Sequence, residues 1–233
     1  MDKLKDEIIS KIRSASEVDL QKHLAACRSG VRFAETAHKP GFIKKLVIIG
    51  ASTGGPKAVM DIMQKFPHDL PAAFLIVQHM PKGFTLSFAE RISWQSGLKA
   101  KEAEEGDQLL AGKVFVAPAG FHMTLEKEGD RLEVRLNQDP LVNFVRPSID
   151  VTMFSAAEIF GRNTIGVILT GMGKDGMDGC RKIKEAGGTV VVQDEETSIV
   201  WGIPRSVYKA GLADDVLPIG KLPAKIVDLI NSN

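Results

Sequence analysis

Cysteine is scarce: the 233 residues hold two, Cys27 and Cys180, with no C-x-x-C pair. A disulfide framework and a cysteine-built zinc site are both excluded on that count. Long hydrophobic runs are missing as well. No apolar stretch reaches the roughly 20 residues that a membrane-spanning helix needs. Met1 to Ile12 alternates charged and apolar side chains and lacks the unbroken apolar core of a secretory signal. No charge of one sign dominates either, since 30 Lys and Arg stand against 29 Asp and Glu for a net of +1. A protein that tracks nucleic-acid phosphates needs a clustered basic excess. The expectations are a cytoplasmic chain, no nucleic acid and no membrane insertion. Internal repeats and low-complexity segments are also absent.

What is there is an ordinary globular composition, 44% hydrophobic and 25% charged, long enough to bury a core without metal or disulfide staples. Residues 1–41 stand apart. Leu4, Ile8, Ile9 and Ile12 recur at near-helical spacing among charges and predict a short amphipathic helix. Ser14 and Glu17 have capping-box spacing for a second helical piece toward Cys27. Ser29-Gly30 and Lys39-Pro40-Gly41 then break the pattern. This segment reads as a linker, and residues 42–233 as the main folded domain.

From Lys44 onward, uninterrupted apolar runs alternate with helical stretches. The runs are Leu46–Ile49, Phe74–Val77, Val114–Val116, Ile165–Leu169 and Thr189–Val192. Such runs belong to parallel strands covered on both faces. Helices are predicted over Pro56–Phe66, Gly83–Trp94, Ser148–Phe160 and Gly176–Ala186. The fold class is therefore α/β: a doubly wound, mostly parallel sheet flanked by helices. One exception is local. His122–Glu126 and Arg131–Leu136 alternate in polarity around Gly129-Asp130, which predicts one antiparallel hairpin.

In an open α/β sheet, ligands bind beyond the carboxyl ends of the strands. The first strand runs into Gly50-Ala51-Ser52-Thr53-Gly54-Gly55-Pro56. Pro56 suits a first helical position, and Gly50-x-Ser52-x-Gly54 fits a nucleophile elbow between strand and helix. The same loop also suits a phosphate cradle at a helix N-terminus. The loop alone serves a hydrolytic serine and an anion site equally, although the dinucleotide spacing G-x-G-x-x-G is not met. The second strand ends in Gln78-His79-Met80-Pro81. Of five histidines, His79 alone ends an apolar strand, and a neighbouring strand puts it near Ser52. His68 falls in a turn, His122 in the hairpin, and His23 and His38 in the N-terminal segment.

The strand at 165–169 runs into Thr170-Gly171-Met172-Gly173-Lys174-Asp175-Gly176. Asp175 immediately precedes a helix, so its bland role is an N-cap carboxylate for that helix. A catalytic triad, however, needs a carboxylate to hold the histidine tautomer and support its imidazolium. Three strand ends supplying Ser52, His79 and Asp175 favour a hydrolase. The order Ser, His, Asp with the elbow after the first core strand does not match an α/β-hydrolase, which runs Ser, acid, His.

These residues resemble the catalytic domain of bacterial chemotaxis protein-glutamate methylesterases. The likeness rests on Ile49-Gly50-Ala51-Ser52-Thr53-Gly54-Gly55, Gln78-His79-Met80-Pro81 and Gly83-Phe84-Thr85. Phe88-Ala89-Glu90-Arg91, Val116-Ala117-Pro118, Arg146-Pro147-Ser148-Ile149-Asp150, Gly166 to Gly173, Asp175-Gly176 and Gly202-Ile203-Pro204-Arg205 extend it over about residues 44 to 220. The resemblance implies a triad of Ser52, His79 and Asp175, no metal or organic cofactor, and methylated cytoplasmic helices of chemoreceptors as partners. Some members of the family also deamidate receptor glutamines. Backbone N–H groups of the loops at Thr53 and Met172 are the natural oxyanion donors.

Two departures accompany the likeness. The family commonly carries an N-terminal receiver domain, and none fits in 41 residues. The chain thus reads as an excised catalytic part or a stand-alone esterase. Val145 stands where a histidine is expected and Lys174 where an asparagine is common. The alternatives are a small-molecule carboxylesterase on the same triad and a phosphate- or nucleotide-binding module using the 50–55 loop.

Overall fold

The computed structural model describes residues 43–129 and 131–232. The expectations for residues 1–41, the amphipathic helix and the linker, lie outside the described residues.

The apolar runs form strands. β1 (Lys45–Ala51) and β2 (Ala72–Gln78) bury every residue, which is why neither alternates in polarity. β3 (Lys99–Glu102), β4 (Lys113–Val116), β7 (Thr164–Ile168), β8 (Thr189–Gln193) and β9 (Asp215–Leu217) complete a seven-stranded sheet in the order β3-β4-β2-β1-β7-β8-β9. Every pairing in it is parallel. β5 (His122–Glu128) and β6 (Arg131–Asn137) form the separate antiparallel hairpin.

Helices cover both faces, because parallel neighbours must be joined by crossovers. They are α1 (Gly55–Met63), α2 (Thr85–Ser96), α3 (Ile149–Phe160), α4 (Met177–Glu185), α5 (Ile203–Lys209) and α6 (Leu222–Asn231). Successive residues of β1 feed opposite cores. Val47, Ile49 and Ala51 pack with α1, α2 and α6, through residues such as Ile62, Ile92 and Ile226. Leu46 and Ile48 pack with α3, α4 and α5, through Met153, Ile183 and Val207. The hairpin joins this second core with Met123, Leu125 and Val134. It also props α3: the Thr152 hydroxyl donates to Met123 O at 2.6 Å, and Leu125 N donates to Ser155 Oγ at 3.1 Å.

The sheet edges are not legible in the sequence. β3 is Lys-Ala-Lys-Glu and mostly half-buried, and β9 has three half-buried residues, so neither shows an apolar run. α5 and α6 also lie beyond the sequence expectations, although Pro204 and Pro223 stand in their first turns, where proline marks a helix start.

The strand order places the ligand crevice. From β1 the chain crosses to β2 on one side, and β7 lies on the other, leading outward to β8 and β9. A topological switch point of this kind leaves a gap between crossovers above the strand ends. Here the gap lies above β1 and β7, where Ser52 follows β1.

Candidate active site

Strand register brings the serine and the histidine together. Ala51 pairs with Gln78 in the last rung of β1 and β2, and His79 N–H donates to Ala51 O at 3.1 Å. Ser52 and His79 are thus the next residues on adjacent strands. On the other side, Ser52 N–H donates to Thr170 O at 3.0 Å. Beneath both, the buried Gln78 amide donates its two hydrogens to Ser52 O and His79 O, each at 2.9 Å. Two carbonyl acceptors fix which end of that amide is nitrogen. Gln78 Oε1 is left without a partner among the described residues, facing Gly55, where a Cβ would come within 2.1 Å of it. Among the described residues no hydrogen bond joins the Ser52 hydroxyl to His79, a contact that free enzymes often close only on binding.

The acid arrives differently. His79 Nε2 lies 2.8 Å from Asp175 Oδ2, with only 13% of the histidine side chain and 4% of the aspartate side chain exposed. A carboxylate there accepts the Nε2 proton, so the neutral ring carries its lone pair on Nδ1. That nitrogen is the one left to accept a proton.

Asp175 does not cap the helix that follows it. The N-cap of α4 is Gly176, in the left-handed region at φ 96°, with no side-chain cap bond. The carboxylate turns instead to the start of α3. It accepts Ile149 N–H at 2.7 Å on Oδ2, and on Oδ1 it accepts the Ser148 hydroxyl at 2.7 Å and the Asn143 amide at 3.2 Å. The bland reading of Asp175 as a local cap is therefore corrected: it caps a distant helix. Burial pushes the carboxyl group upward, but the bonds from His79, Ser148 and Ile149 and the charge at His79 outweigh it. The net direction is down. Asp175 is held ionised where the triad would use it.

The loops that carry the two oxyanion candidates pack on each other. A Cβ on Gly171 would lie 2.7 Å from Ser52 Cβ and 3.0 Å from Ser52 N, so the peptide leading to Met172 packs directly on the serine. Thr53 O accepts the Thr170 hydroxyl at 2.9 Å, and that hydroxyl in turn accepts Val200 N–H at 2.9 Å. Among the described residues neither Thr53 N–H nor Met172 N–H donates to a backbone oxygen. Thr53 and Met172 are exposed, Met172 by 76%.

The start of α1 is a poor anion cradle. Gly55 N–H is used on Ser52 O at 2.8 Å, Pro56 has no N–H to offer, and Ile199 covers Gly54, where a Cβ would lie 2.8 Å from the isoleucine Cβ. The phosphate reading of this loop therefore lacks the donors at Gly55 and Pro56. Among the described residues no group of three or more His, Cys, Asp or Glu side chains is placed to hold a metal ion, and no helix is long and apolar enough to cross a membrane.

Sequence reasoning misses the groups that support these residues. Gln78 and Ser148 stand out only as parts of motifs, and Asn143 not at all. His122 reads from sequence as a hairpin residue without a role, yet it is fully buried. It accepts Ser148 N–H on Nδ1 at 3.2 Å, and its Nε2 lies 3.1 Å from Pro140 O. The signal for Ser148 is present, since serine before an apolar helical stretch is an N-cap pattern. Val145 is half-buried and Lys174 exposed, and neither side chain bonds to Ser52, His79 or Asp175.

Comparison with known proteins fits this geometry. The CheB methylesterase family matches residues 47–226. A protein-glutamate methylesterase/protein-glutamine glutaminase of Pyrococcus horikoshii is 43% identical over 233 residues, covering 99% of this chain and 63% of the relative. The protein of the same name from Thermotoga maritima is 43% identical over 224 residues, covering 96% of this chain and 64% of the relative. This chain thus spans less than two thirds of the length of these relatives. The crystal structure of the Thermotoga maritima CheB methylesterase catalytic domain superposes with a TM-score of 0.78 at 46% identity, covering 79% of this chain and 98% of that one. With the family matched over most of its length and the same fold in its structural neighbour, this chain belongs to the CheB methylesterase family.

Proposed function

We propose that this chain is a serine hydrolase that removes methyl groups from glutamate methyl esters on the cytoplasmic helices of chemoreceptors, and that it deamidates receptor glutamines by the same route. The observation that carries the reading is the buried 2.8 Å contact of His79 Nε2 with Asp175 Oδ2 beside Ser52 in strand register. The names of the relatives supply the ester and amide classes. The setting is the cytoplasm, where those receptor segments lie.

The chemistry is acyl transfer through a covalent intermediate. His79 Nδ1 takes the proton of the Ser52 hydroxyl as Oγ attacks the glutamyl carbonyl carbon. The imidazolium that forms is supported by the Asp175 charge. Negative charge develops on the carbonyl oxygen, where the N–H groups of Thr53 and Met172 receive it. The tetrahedral intermediate expels methanol, or ammonia from glutamine, with the proton returned from His79. Water, deprotonated by the same Nδ1, then attacks the Ser52 ester and releases glutamate. No step calls for a cofactor.

The test is methanol release from membranes carrying methylated receptors, with Ser52→Ala beside the wild type and a panel of small esters in parallel. Release by the wild type and none above background by Ser52→Ala supports the reading. Turnover of small esters with no release from receptors turns it into a small-molecule carboxylesterase. Undiminished release by Ser52→Ala removes the covalent mechanism.

A further inference from the structure

A second carboxylate stands behind the first. Asp150, in the first turn of α3, is 2% exposed. Its Oδ1 accepts Gly179 N–H, in the first turn of α4, at 2.7 Å, and its Oδ2 accepts the Asn143 amide at 2.8 Å. Asp175, from the loop before α4, accepts the N–H of Ile149 at the start of α3. Each helix therefore has an N-terminal amide held by an acid carried on the other helix or its leading loop. The contact is close because residue 179 is glycine: a Cβ there would lie 2.6 Å from Met153 Cβ and 3.1 Å from Asp150 Cα. Asn143 ties the two acids together, donating to Asp150 at 2.8 Å and to Asp175 at 3.2 Å. It does so from the left-handed region, at φ 52°, which asparagine tolerates better than most residues.

We infer that Asp150 is a positioning residue of the active site: with Asn143 it sets the Asp175 carboxylate on His79, and its charge behind Asp175 adds to the support of the imidazolium. This rests on reading Ser52, His79 and Asp175 as the triad. An acid is not needed for capping alone, because a neutral asparagine caps about as well. It is also costly at this place. Burial pushes the Asp150 carboxyl up, the charges of Asp175 and Asp178 push the same way, and the Gly179 N–H only partly opposes them, leaving it at about 6. The titratable groups around it are Asp175, Asp178 and the buried Cys180 of α4, whose thiol is pushed upward by burial and by Asp150 itself. His79 lies beyond Asp175, and His122 is held on Ser148 at the start of the same helix.

The test is the rate at which a fluorophosphonate labels Ser52 between pH 5 and 9, read by mass spectrometry alongside the urea midpoint. Wild type, Asp150→Asn, Asn143→Gly and Ser52→Ala are compared. Asp150→Asn keeps an acceptor for Gly179 but removes the charge. It is expected to slow labelling about 10-fold and to move the acid limb of the profile down by roughly half a pH unit, because His79 loses a nearby negative charge. Asn143→Gly keeps the left-handed backbone and removes the shared donor. It is expected to slow labelling about 3-fold, because Asp175 loses one of the donors that set it on His79. Should Asp150→Asn fail to fold, Asp150→Ser, a smaller neutral residue, takes its place in the same comparison; a downward limb there supports the proposal and an unmoved one overturns it. An Asp150→Asn protein that folds and labels with an unmoved limb, fast or slow, reduces Asp150 to a cap and overturns the proposal while leaving the triad standing. Labelling that persists in Ser52→Ala removes the triad reading and this proposal with it.

Discussion

Two halves of the site are held by different physics. Ser52 and His79 sit on the ends of β1 and β2, where backbone hydrogen bonds and the Ala51–Gln78 rung set their separation. Side-chain identity enters through Gln78, which ties the two carbonyls from below. Asp175 has no such rail. It rides on a loop after β7, and its orientation comes from donors on α3 and on the segment before it, 26 to 32 residues away in sequence. A parallel ladder tolerates side-chain changes, because its bonds are backbone bonds. A carboxylate held by Ser148, Asn143, Ile149 and His79 depends on each of them. Substitutions on the acid side should therefore disturb rate and stability together, and loss of the Ser52 hydroxyl should separate them.

The largest expected effect separates them most cleanly. Ser52→Ala removes the oxygen proposed to attack and should reduce methanol release by at least about 10³-fold. The hydroxyl has no hydrogen bond to His79 to lose, so the urea midpoint should correspond to a change of less than about 0.5 kcal/mol. A large loss of stability would mean that the serine half is not carried by its backbone.

Asp175→Asn should come next and should couple the two readouts. It removes the charge proposed to support His79 and permits the other tautomer. The same exchange in the triad of a serine protease lowers turnover by about 10⁴-fold, and a loss of at least roughly 10²-fold is expected here. Local capping alone would predict almost no change in stability. The observed surroundings predict a loss of about 1–3 kcal/mol, since an amide nitrogen must now face a donor. The pH dependence follows from the depressed carboxyl of Asp175. Its contribution is present above the unfolded value near 3.9 and is lost as pH falls through the lower folded value. The stability gap between wild type and Asp175→Asn should accordingly narrow below about pH 4, which urea melts from pH 3 to 7 would reveal.

Gln78→Leu probes the rail itself. It withdraws two donors from the carbonyls of Ser52 and His79, with Gly55 N–H still serving Ser52 O. A loss of about 1–3 kcal/mol is expected, with kcat lower by about 10-fold and KM nearly unchanged, as displaced catalytic groups affect the transition state alone. A change in KM with kcat intact would show that Gln78 shapes substrate contacts instead. The smallest effect belongs to Lys174→Asn. This exposed side chain bonds to none of the three residues, so kcat should change by less than about 2-fold and stability by less than about 0.5 kcal/mol.

How far the sequence can be read follows the same division. The buried strands are legible because a parallel strand covered on both faces has no polar side to interrupt it; β1 and β2 are the clear cases. β3 and β9 are not, because an edge strand of three or four half-buried residues resembles a polar loop. Ser52 and His79 are legible from their positions after apolar strands. Asp175 is legible by motif, but its bonding is not: the local pattern points to a cap on the helix beginning just after it, and the structure turns the carboxylate elsewhere.

The sequence by itself determined the parallel α/β class, the hairpin and the two strand-end residues, because each depends on local pattern: apolar runs, a Gly-rich turn, a polar residue directly after a strand. Only the tertiary structure decided that Asp175 faces the start of α3 rather than α4, that Asp150 answers it from the other helix, and that Asn143 joins the two acids. Those arrangements depend on where α3 and α4 cross, and that crossing is fixed by packing at Gly179 and Met153 and by the hairpin under Thr152. Hydrogen bonds between groups far apart in sequence leave no periodicity to read.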